Sequence, residues 1–146
     1  MKRINVNNFI IQAAREAHKN HWVETSDEST GDKQASTVTR VWQKAILSDT
    51  IQAEVLVADH LNEKIDVVDF STATAYEMKV SGKNPHHEFY KDIFKVFVYN
   101  QHKTPALKKL VFITEKDGAM KLKRGLAKET IDGISQVNLI IDVIGI

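Results

Sequence analysis

The amino-acid sequence predicts an α/β (α+β) domain, with a mixed central sheet flanked by helices on both faces. Three observations support this fold class. The 146 residues suit one hydrophobic core, so residues 1–146 are expected to form a single domain. Segments with helix-type apolar spacing alternate with segments of strand type. The segment "LKKLVFIT" is a near-continuous apolar run, which is typical of a strand buried on both faces.

Two helices are predicted in the first third of the chain. The stretch "NNFIIQAAREAHKNHW" has apolar residues three and four apart, with an Asn cap just before them. The stretch "STVTRVWQKAIL" places Val38, Trp42 and Ile46 on one helical face. Between them, "VETSDESTGDKQAST" is polar, contains Gly31 and lacks periodicity, so it predicts a loop.

Three strands are predicted next. The stretch "AEVLVADHL" has a short apolar run before the polar turn "NEK", which favours a strand. A helix is the alternative, because Asp49 could cap it with Gln52 three residues later. The segments "KIDVVDF" and "TAYEMKV" are better strands, joined by a turn near Ser71 and Thr72.

The second half of the chain predicts a helix, a strand, a helix and a strand. Pro85 suits the first position of a helix that Asn84 caps. The buried strand "LKKLVFIT" follows it. The stretch "DGAMKLKRGLAKETI" favours one basic helix, with a hairpin at Asp117-Gly118 as the alternative. The apolar segment "VNLIIDVIGI" closes the chain as a strand.

Composition excludes several classes of protein. The absence of Cys excludes a disulfide scaffold, thiolate catalysis and Cys-ligated zinc, and it fits a cytoplasmic (intracellular) protein. No apolar run approaches the roughly 18 residues of a membrane span. The basic start "MKRINVNNF" lacks the apolar segment that follows in a secretory signal. We therefore expect no membrane partner.

The net charge of +1 conceals a strong asymmetry. Residues 24–77 hold 11 acidic side chains and 4 basic ones, whereas residues 79–128 hold 12 basic and 4 acidic ones. Such neighbouring blocks can form a polyanion-binding surface beside a cation-binding centre. Two solvated faces of unlike sign are the alternative, and charge alone favours that alternative.

Three charged residues interrupt the second and third predicted strands. Residues two apart on a strand share a face, so Glu77 and Lys79 point the same way. With the turn at residues 71–72, Asp66 lies opposite Glu77, and like charges in that position are destabilising. A divalent cation would compensate, since Mg²⁺ is held by one or two carboxylates plus substrate phosphates. A solvent-exposed sheet face with an internal Glu–Lys pair is the alternative.

These residues carry a resemblance to the PD-(D/E)xK nuclease superfamily, which includes restriction endonucleases, Holliday-junction resolvases and repair nucleases. Asp66 matches the Asp of the motif, and Glu77-Met78-Lys79 matches its Glu-x-Lys. The predicted strand–strand–strand–helix–strand order from about residue 54 to residue 114 resembles the restriction-endonuclease-like core of that superfamily. The resemblance therefore implies this core for the domain.

The sequence departs from the superfamily pattern at two places. Ile65 stands where the motif name has Pro. A Glu on the first helix of the core often adds a metal ligand in the superfamily, and it is not assignable here. Glu54 is the candidate for this accessory ligand only if "AEVLVADHL" is helical.

The resemblance implies metal-dependent hydrolysis of phosphodiester bonds in DNA by an endonuclease. Asp66, Glu77 and the backbone carbonyl of Met78 would bind Mg²⁺, for which Mn²⁺ can substitute. The metal would lower the pKa of a bound water and neutralise charge on the phosphate. Lys79 would orient or help deprotonate that water, or stabilise the transition-state charge.

Basic residues after the motif would follow the nucleic-acid backbone, which is most simply that of double-stranded DNA. The candidates are Lys83, Lys91 and Lys95, of which the last two share a helix face. The small size of the chain implies a homodimer that cuts both strands. The alternative is a catalytically inactive, nuclease-like subunit that binds nucleic acid or a partner protein.

Overall fold

A computed structural model describes residues 7–146 of the chain. Within these residues, five helices and five strands form around one mixed sheet. The helices are α1 (Asn8–His21), α2 (Glu28–Ile46), α3 (Pro85–His102), α4 (Lys116–Gly125) and α5 (Lys128–Gln136). The strands are β1 (Ile51–Leu56), β2 (Lys64–Asp69), β3 (Thr74–Lys79), β4 (Lys109–Thr114) and β5 (Ile140–Gly145).

The five strands lie in the sheet in the order of the sequence, from β1 to β5. β1, β2 and β3 are antiparallel neighbours, whereas β4 runs parallel to β3 and β5 runs parallel to β4. Antiparallel links need only short turns, but each parallel link needs a long crossover, which α3 supplies first and α4 with α5 second. The prediction of an α/β (α+β) domain with a mixed sheet is confirmed.

Helices cover both faces of the sheet. On one face, Trp42 of α2 packs in a cluster with Tyr76 of β3, and α1 completes this layer. On the other face, Phe89 of α3 meets Phe112 of β4 edge-on, with ring centroids 5.5 Å apart, and Leu122 of α4 joins the same cluster. Burying each such side chain contributes roughly 1.5–3 kcal/mol, so the two clusters hold the sheet between its helical layers.

α2 begins at Glu28, inside the segment that was predicted to be a loop, so that prediction is wrong for residues 28–35, which precede the predicted helix. The Oδ1 atom of Asp27 accepts hydrogen bonds from the backbone N–H of Ser29 at 3.0 Å and of Thr30 at 3.4 Å. This capping satisfies donors that a helix start otherwise leaves without partners. The cap offsets the cost of Gly31 in the first turns, which is about 1 kcal/mol relative to Ala.

Residues 116–136 form two helices, so the prediction of one basic helix is wrong. α4 ends at Gly125, and the N–H of Leu126 donates to the carbonyl of Leu122 at 3.0 Å. A Cβ atom at Gly125 would collide with the imidazole of His86 on α3, so a larger residue at this helix end would need that side chain to move. The hairpin at Asp117-Gly118 is not formed, because both residues lie within α4.

The structure also tests two other local predictions, one for the segment "AEVLVADHL" and one for the capping role of Asn84. The stretch "AEVLVADHL" contributes to β1, so the strand prediction is confirmed over the helical alternative. Asn84 does precede α3, with Pro85 as the first helical residue, but its backbone is left-handed at φ 48°. Its side chain makes no capping hydrogen bond, so the predicted capping role of Asn84 is not fulfilled.

Gly118 of α4 packs directly on Gly82 in the loop after β3. A Cβ atom at Gly118 would stand 2.6 Å from both the Cα and the carbonyl oxygen of Gly82, which are backbone atoms and cannot rotate away. We expect Gly118→Ala to lower the free energy of unfolding by about 1–3 kcal/mol in urea titrations. Gly133→Ala in α5 is the matched control, because nothing lies within 4 Å of that position. A Gly118→Ala protein as stable as the control would contradict this packing.

No helix among residues 7–146 has both the length and the apolar character needed to cross a bilayer. The basic start of the chain, for which the sequence predicts no secretory signal, lies largely outside the described residues.

Candidate active site

Asp66 and Glu77 stand side by side on β2 and β3. Pairing of Val67 with Tyr76 places Asp66 opposite Glu77 in the antiparallel register. The Oδ2 atom of Asp66 accepts a hydrogen bond from the N–H of Met78 at 2.9 Å, and the Oε1 atom of Glu77 accepts one from the N–H of Asp66 at 3.2 Å. Each carboxylate thus contacts the backbone of the other strand, and the predicted adjacency of the two is present.

α3 adds two charged residues to this pair. The ammonium of Lys95 lies 3.2 Å from Oε1 of Glu77 and 3.4 Å from Oδ1 of Asp92. Only 13% of the Lys95 side chain is exposed, against 4% for Glu77 and 6% for Asp92. Three neighbouring carboxylates, including that of Asp66, therefore surround one buried ammonium.

The four charges shift one another's protonation. Burial is the main cause that raises the pKa of Asp66, of Glu77 and of Asp92, and repulsion among the carboxylates adds to it. The pKa of Asp92 rises to about 7, and that of Glu77 lies well above its ordinary value. Burial opposes the charge of Lys95, but the surrounding carboxylates outweigh it and raise the pKa of its ammonium. One lysine does not neutralise this cluster.

Glu54 reaches the same cleft from β1, although it lies on a strand and not on a helix. Register pairs Ala53 with Val67 and Val55 with Ile65, which sets Glu54 level with Asp66. Its φ of 52° is unusual for a residue with a side chain and interrupts the ladder at this point. The segment around Glu54 is therefore a strand and not the helix on which its assignment as the accessory ligand depended, yet Glu54 lies beside Asp66.

Gln43 of α2 ties Glu54 to the sheet. Its side-chain nitrogen donates to Oε1 of Glu54 at 3.2 Å and to the backbone carbonyl of Asp66 at 2.9 Å. The amide is buried, so these two bonds satisfy a group that would otherwise be costly to desolvate. Gln43 thus positions the exposed carboxylate of Glu54 at the edge of the buried cluster.

The predicted lysines fall into three different environments. Lys79 is half-buried and lines the cleft beside Glu77. Lys83 is exposed at the rim, with its ammonium 3.9 Å from a carboxylate oxygen of Glu24. Lys91 is exposed on α3, but Lys95 is held inside the carboxylate cluster. The prediction that Lys91 and Lys95 form one phosphate-facing pair does not fit this arrangement, because the Lys95 ammonium is already engaged.

The cleft that contains these groups has a volume of about 930 Å³ and is strongly acidic. Ten carboxylate side chains and four Lys or Arg side chains line it. Its outer wall, which we call the acidic wall, comprises Glu24, Asp27, Glu28 and Asp32 around the start of α2. A polyanion entering this cleft would meet repulsion from the wall, and bound cations would reduce it.

Glu115, which also lines the cleft, joins the loop after β3 to α1. One carboxylate oxygen accepts from the N–H of Gly82 at 2.7 Å, and the other lies 3.2 Å from Nε2 of His18 in α1. Thr114 adds a hydrogen bond from its hydroxyl to the carbonyl of Ser81 at 3.3 Å. These contacts hold the segment that immediately follows Lys79.

Sequence reasoning missed Asp92, Gln43 and Glu115 as residues of the cleft. A signal was available for Asp92, since it is a charged residue directly before Ile93 of the apolar stripe, three residues ahead of Lys95. Helix geometry brings residues three apart together, so this pair could have been expected to share a buried site. Gln43 and Glu115 line the cleft only through tertiary contacts between distant segments.

The oxygen atoms of this site are the kind of ligand that a hard divalent cation prefers. Asp66 and Glu77 provide carboxylate oxygens, which Mg²⁺ prefers, and burial raises the pKa of both, so a bound cation would favour their ionised forms. Within residues 7–146, however, no three His, Asp or Glu side chains converge as a ready-made metal centre. The contact of Lys95 with Glu77 occupies part of this space, so a cation already lies beside the carboxylates.

Comparison with known proteins adds no relative. No protein-family model matches the chain, and neither a curated protein nor a solved structure shows significant similarity to it.

Proposed function

We propose that the protein is a Mg²⁺-dependent endonuclease that hydrolyses phosphodiester bonds in DNA, with Mn²⁺ able to replace Mg²⁺. The observation that carries this proposal is the contact of Asp66 with Glu77 and the backbone of Met78 in a cleft that Lys79 also lines. The order β1, β2, β3, α3, β4 supports it, because it is the order that the resemblance to the PD-(D/E)xK superfamily implies.

Asp66, Glu77 and the carbonyl of Met78 would hold the metal ion. When bound, the metal supplies a Lewis acid that lowers the pKa of water and stabilises charge on the phosphate. Lys79 lines the open part of the cleft, where its ammonium can hold the attacking water and face a phosphate oxygen. The backbone N–H of Met78 holds the carboxylate of Asp66 in place through the 2.9 Å hydrogen bond.

Nicking of a supercoiled plasmid tests this function. The full chain should convert the plasmid to open circles with Mg²⁺ and should lose this activity in EDTA. Lys79→Met should lower the rate by about 10²–10⁴-fold, which is the range for loss of a group acting in proton transfer. Lys103→Met is the matched control, because that lysine pairs with the exposed Asp59 outside the cleft. Cleavage by Lys79→Met at the wild-type rate would remove Lys79 from the mechanism.

The salt dependence of DNA binding tests the predicted backbone contacts. Lys83 and Lys91 are exposed and neither contacts Glu77, so they can be changed without touching the buried cluster. We expect Lys83→Ala with Lys91→Ala to reduce the slope of log affinity against log salt by about 0.9 for each lost duplex contact. Binding is measured in Ca²⁺ to avoid turnover, and Lys108→Ala with Lys128→Ala provides a control of equal charge. An unchanged slope would show that neither lysine contacts DNA.

A catalytically inactive, nuclease-like subunit that binds a partner protein is the second candidate. The acidic wall favours it, because carboxylates around a cleft attract basic peptide segments more readily than phosphates. The plasmid assay separates the two functions: no nicking at any Mg²⁺ or Mn²⁺ concentration, by a chain shown to be folded, would favour the binding subunit.

A homodimer is part of the proposal. A single cleft cuts one strand, so cleavage of both strands of a duplex is most simply achieved by two copies. Sedimentation of the full chain with and without duplex DNA tests this expectation, and a monomer under both conditions would contradict it.

A further inference from the structure

We propose that Lys95 is a built-in competitor of the divalent metal: its ammonium must leave Glu77 for the metal to bind, and Asp92 retains the displaced ammonium. This inference rests on the proposed metal-dependent function. It assigns a positioning role to two residues of α3 that the motif Asp66, Glu77 and Lys79 does not include.

The geometry places Lys95 on an oxygen that the metal would need. Oε1 of Glu77 accepts from the N–H of Asp66 at 3.2 Å and lies 3.2 Å from the Lys95 ammonium. This oxygen therefore contacts the backbone of Asp66, the residue with which Glu77 would share an ion. An ammonium and a divalent cation on the same oxygen would repel each other strongly in a buried site, where charges are poorly screened. Metal binding is therefore expected to displace the ammonium.

Asp92 gives the ammonium a second partner on its own helix. It precedes Lys95 by three residues, and its Oδ1 lies 3.4 Å from the ammonium. Lysine has a flexible four-carbon stem, so the ammonium can rotate from Glu77 onto Asp92 without movement of the backbone. Leaving a charge buried without a partner costs several kcal/mol, and Asp92 avoids that cost after displacement.

Lys79 provides the contrast that isolates this mechanism. It also adds positive charge to the cleft and is half-buried like Lys95, but it forms no ion pair with Glu77 within the described residues. General repulsion of the metal should be similar for the two lysines. Only the Lys95 ammonium should compete directly with the metal for Oε1 of Glu77.

Calorimetric titration of the full chain with Mn²⁺, in the absence of nucleic acid, tests the inference. We expect Lys95→Met to bind Mn²⁺ about 10- to 100-fold more tightly than the wild type, and Lys79→Met to change affinity much less. Equal affinities of Lys95→Met and the wild type would overturn the inference while leaving the proposed function intact. Absence of Mn²⁺ binding in the wild type and in Lys95→Met would overturn the inference together with the proposed function.

Lys95→Arg keeps the test decisive if Lys95→Met does not fold. It preserves the charge, and a guanidinium holds a carboxylate through two parallel hydrogen bonds, so it should be harder to displace. We expect weaker Mn²⁺ binding in Lys95→Arg than in the wild type. Binding that is unchanged or tighter in this variant would contradict displacement.

A double-mutant cycle separates the role of Asp92 from that of a metal ligand. If Asp92 acts by retaining the displaced ammonium, Asp92→Asn should weaken Mn²⁺ binding in the wild type and have a much smaller effect in the Lys95→Met background. An equal loss in both backgrounds would show that Asp92 binds the metal directly and would overturn its proposed role.

Discussion

Asp66→Asn should abolish Mg²⁺-dependent nicking, with a loss in rate on the order of 10³-fold or more, because a metal contributes several kcal/mol to stabilising the transition state. The substitution removes one negative charge but keeps the size of the side chain. The amide oxygen can still accept the hydrogen bond that Asp66 now receives from the N–H of Met78. The lost rate would therefore reflect the charge and not the shape of the site.

The same substitution should leave the fold intact or make it more stable. Burial raises the pKa of Asp66, which means that the folded protein disfavours its ionised form. A neutral amide removes this penalty, so the midpoint of thermal unfolding in EDTA should be equal to or above that of the wild type. Asp59→Asn is the matched control, since Asp59 is exposed and pairs with Lys103 away from the cleft.

The nicking rates and thermal midpoints of these two variants show whether Asp66 is a metal ligand. Loss of nicking with a retained or raised thermal midpoint in Asp66→Asn, and an unchanged rate in Asp59→Asn, fits a metal ligand. A normal nicking rate in Asp66→Asn would show that the carboxylate is not a ligand, and the PD-(D/E)xK assignment would then lose its central residue.

The adjacency of Asp66 and Glu77 could be predicted from the sequence because it depends on local rules alone. Strand residues alternate between faces, and a turn at residues 71–72 fixes which residues stand opposite each other. The observed pairing of Val67 with Tyr76 is the one that this turn dictates. The strands and the mixed sheet followed from the same kind of local pattern.

The start of α2 and the contribution of α3 could not be predicted with the same rules. Residues 28–35 are mostly polar because that part of α2 lines an open cleft, so the apolar stripe that marks a helix is missing there. Lys95 looks like a surface lysine in the sequence. Its burial depends on the crossover that brings α3 against β3, and on Glu77, which lies 18 residues earlier.

Lys95→Met should lower the free energy of unfolding of the metal-free protein by about 3–5 kcal/mol near pH 8, which is the usual cost of removing one partner from a buried ion pair. The change would leave Asp66, Glu77 and Asp92 without their shared cation. Lys103→Met, which breaks an exposed pair, should have little effect. Urea titrations in EDTA measure both variants.

The loss of stability in Lys95→Met should depend on pH. Whether it grows or shrinks as the pH rises follows from the protonation of Asp92. Its pKa is raised, chiefly by burial, from 3.8 to about 7, so the folded protein favours the protonated carboxyl. The stability that this group contributes is fully present below about pH 4 and is lost as the pH rises through about 7. Glu77 acts in the same direction, because its pKa is also raised.

Removing Lys95 takes away the cation that opposes these upward shifts, so the pKa values of Asp92 and Glu77 should rise further in Lys95→Met. Below about pH 5 the carboxyl of Asp92 is largely protonated in the wild type and in the variant, and the raised pKa of Glu77 acts in the same direction, so Lys95 then has fewer negative charges to neutralise. The difference in unfolding free energy between the two proteins should therefore shrink as the pH falls from about 8 to about 5. A difference that stays constant over this range would mean that Lys95 stabilises the fold by packing its stem, and a difference of zero at both ends would mean that the ion pair contributes nothing.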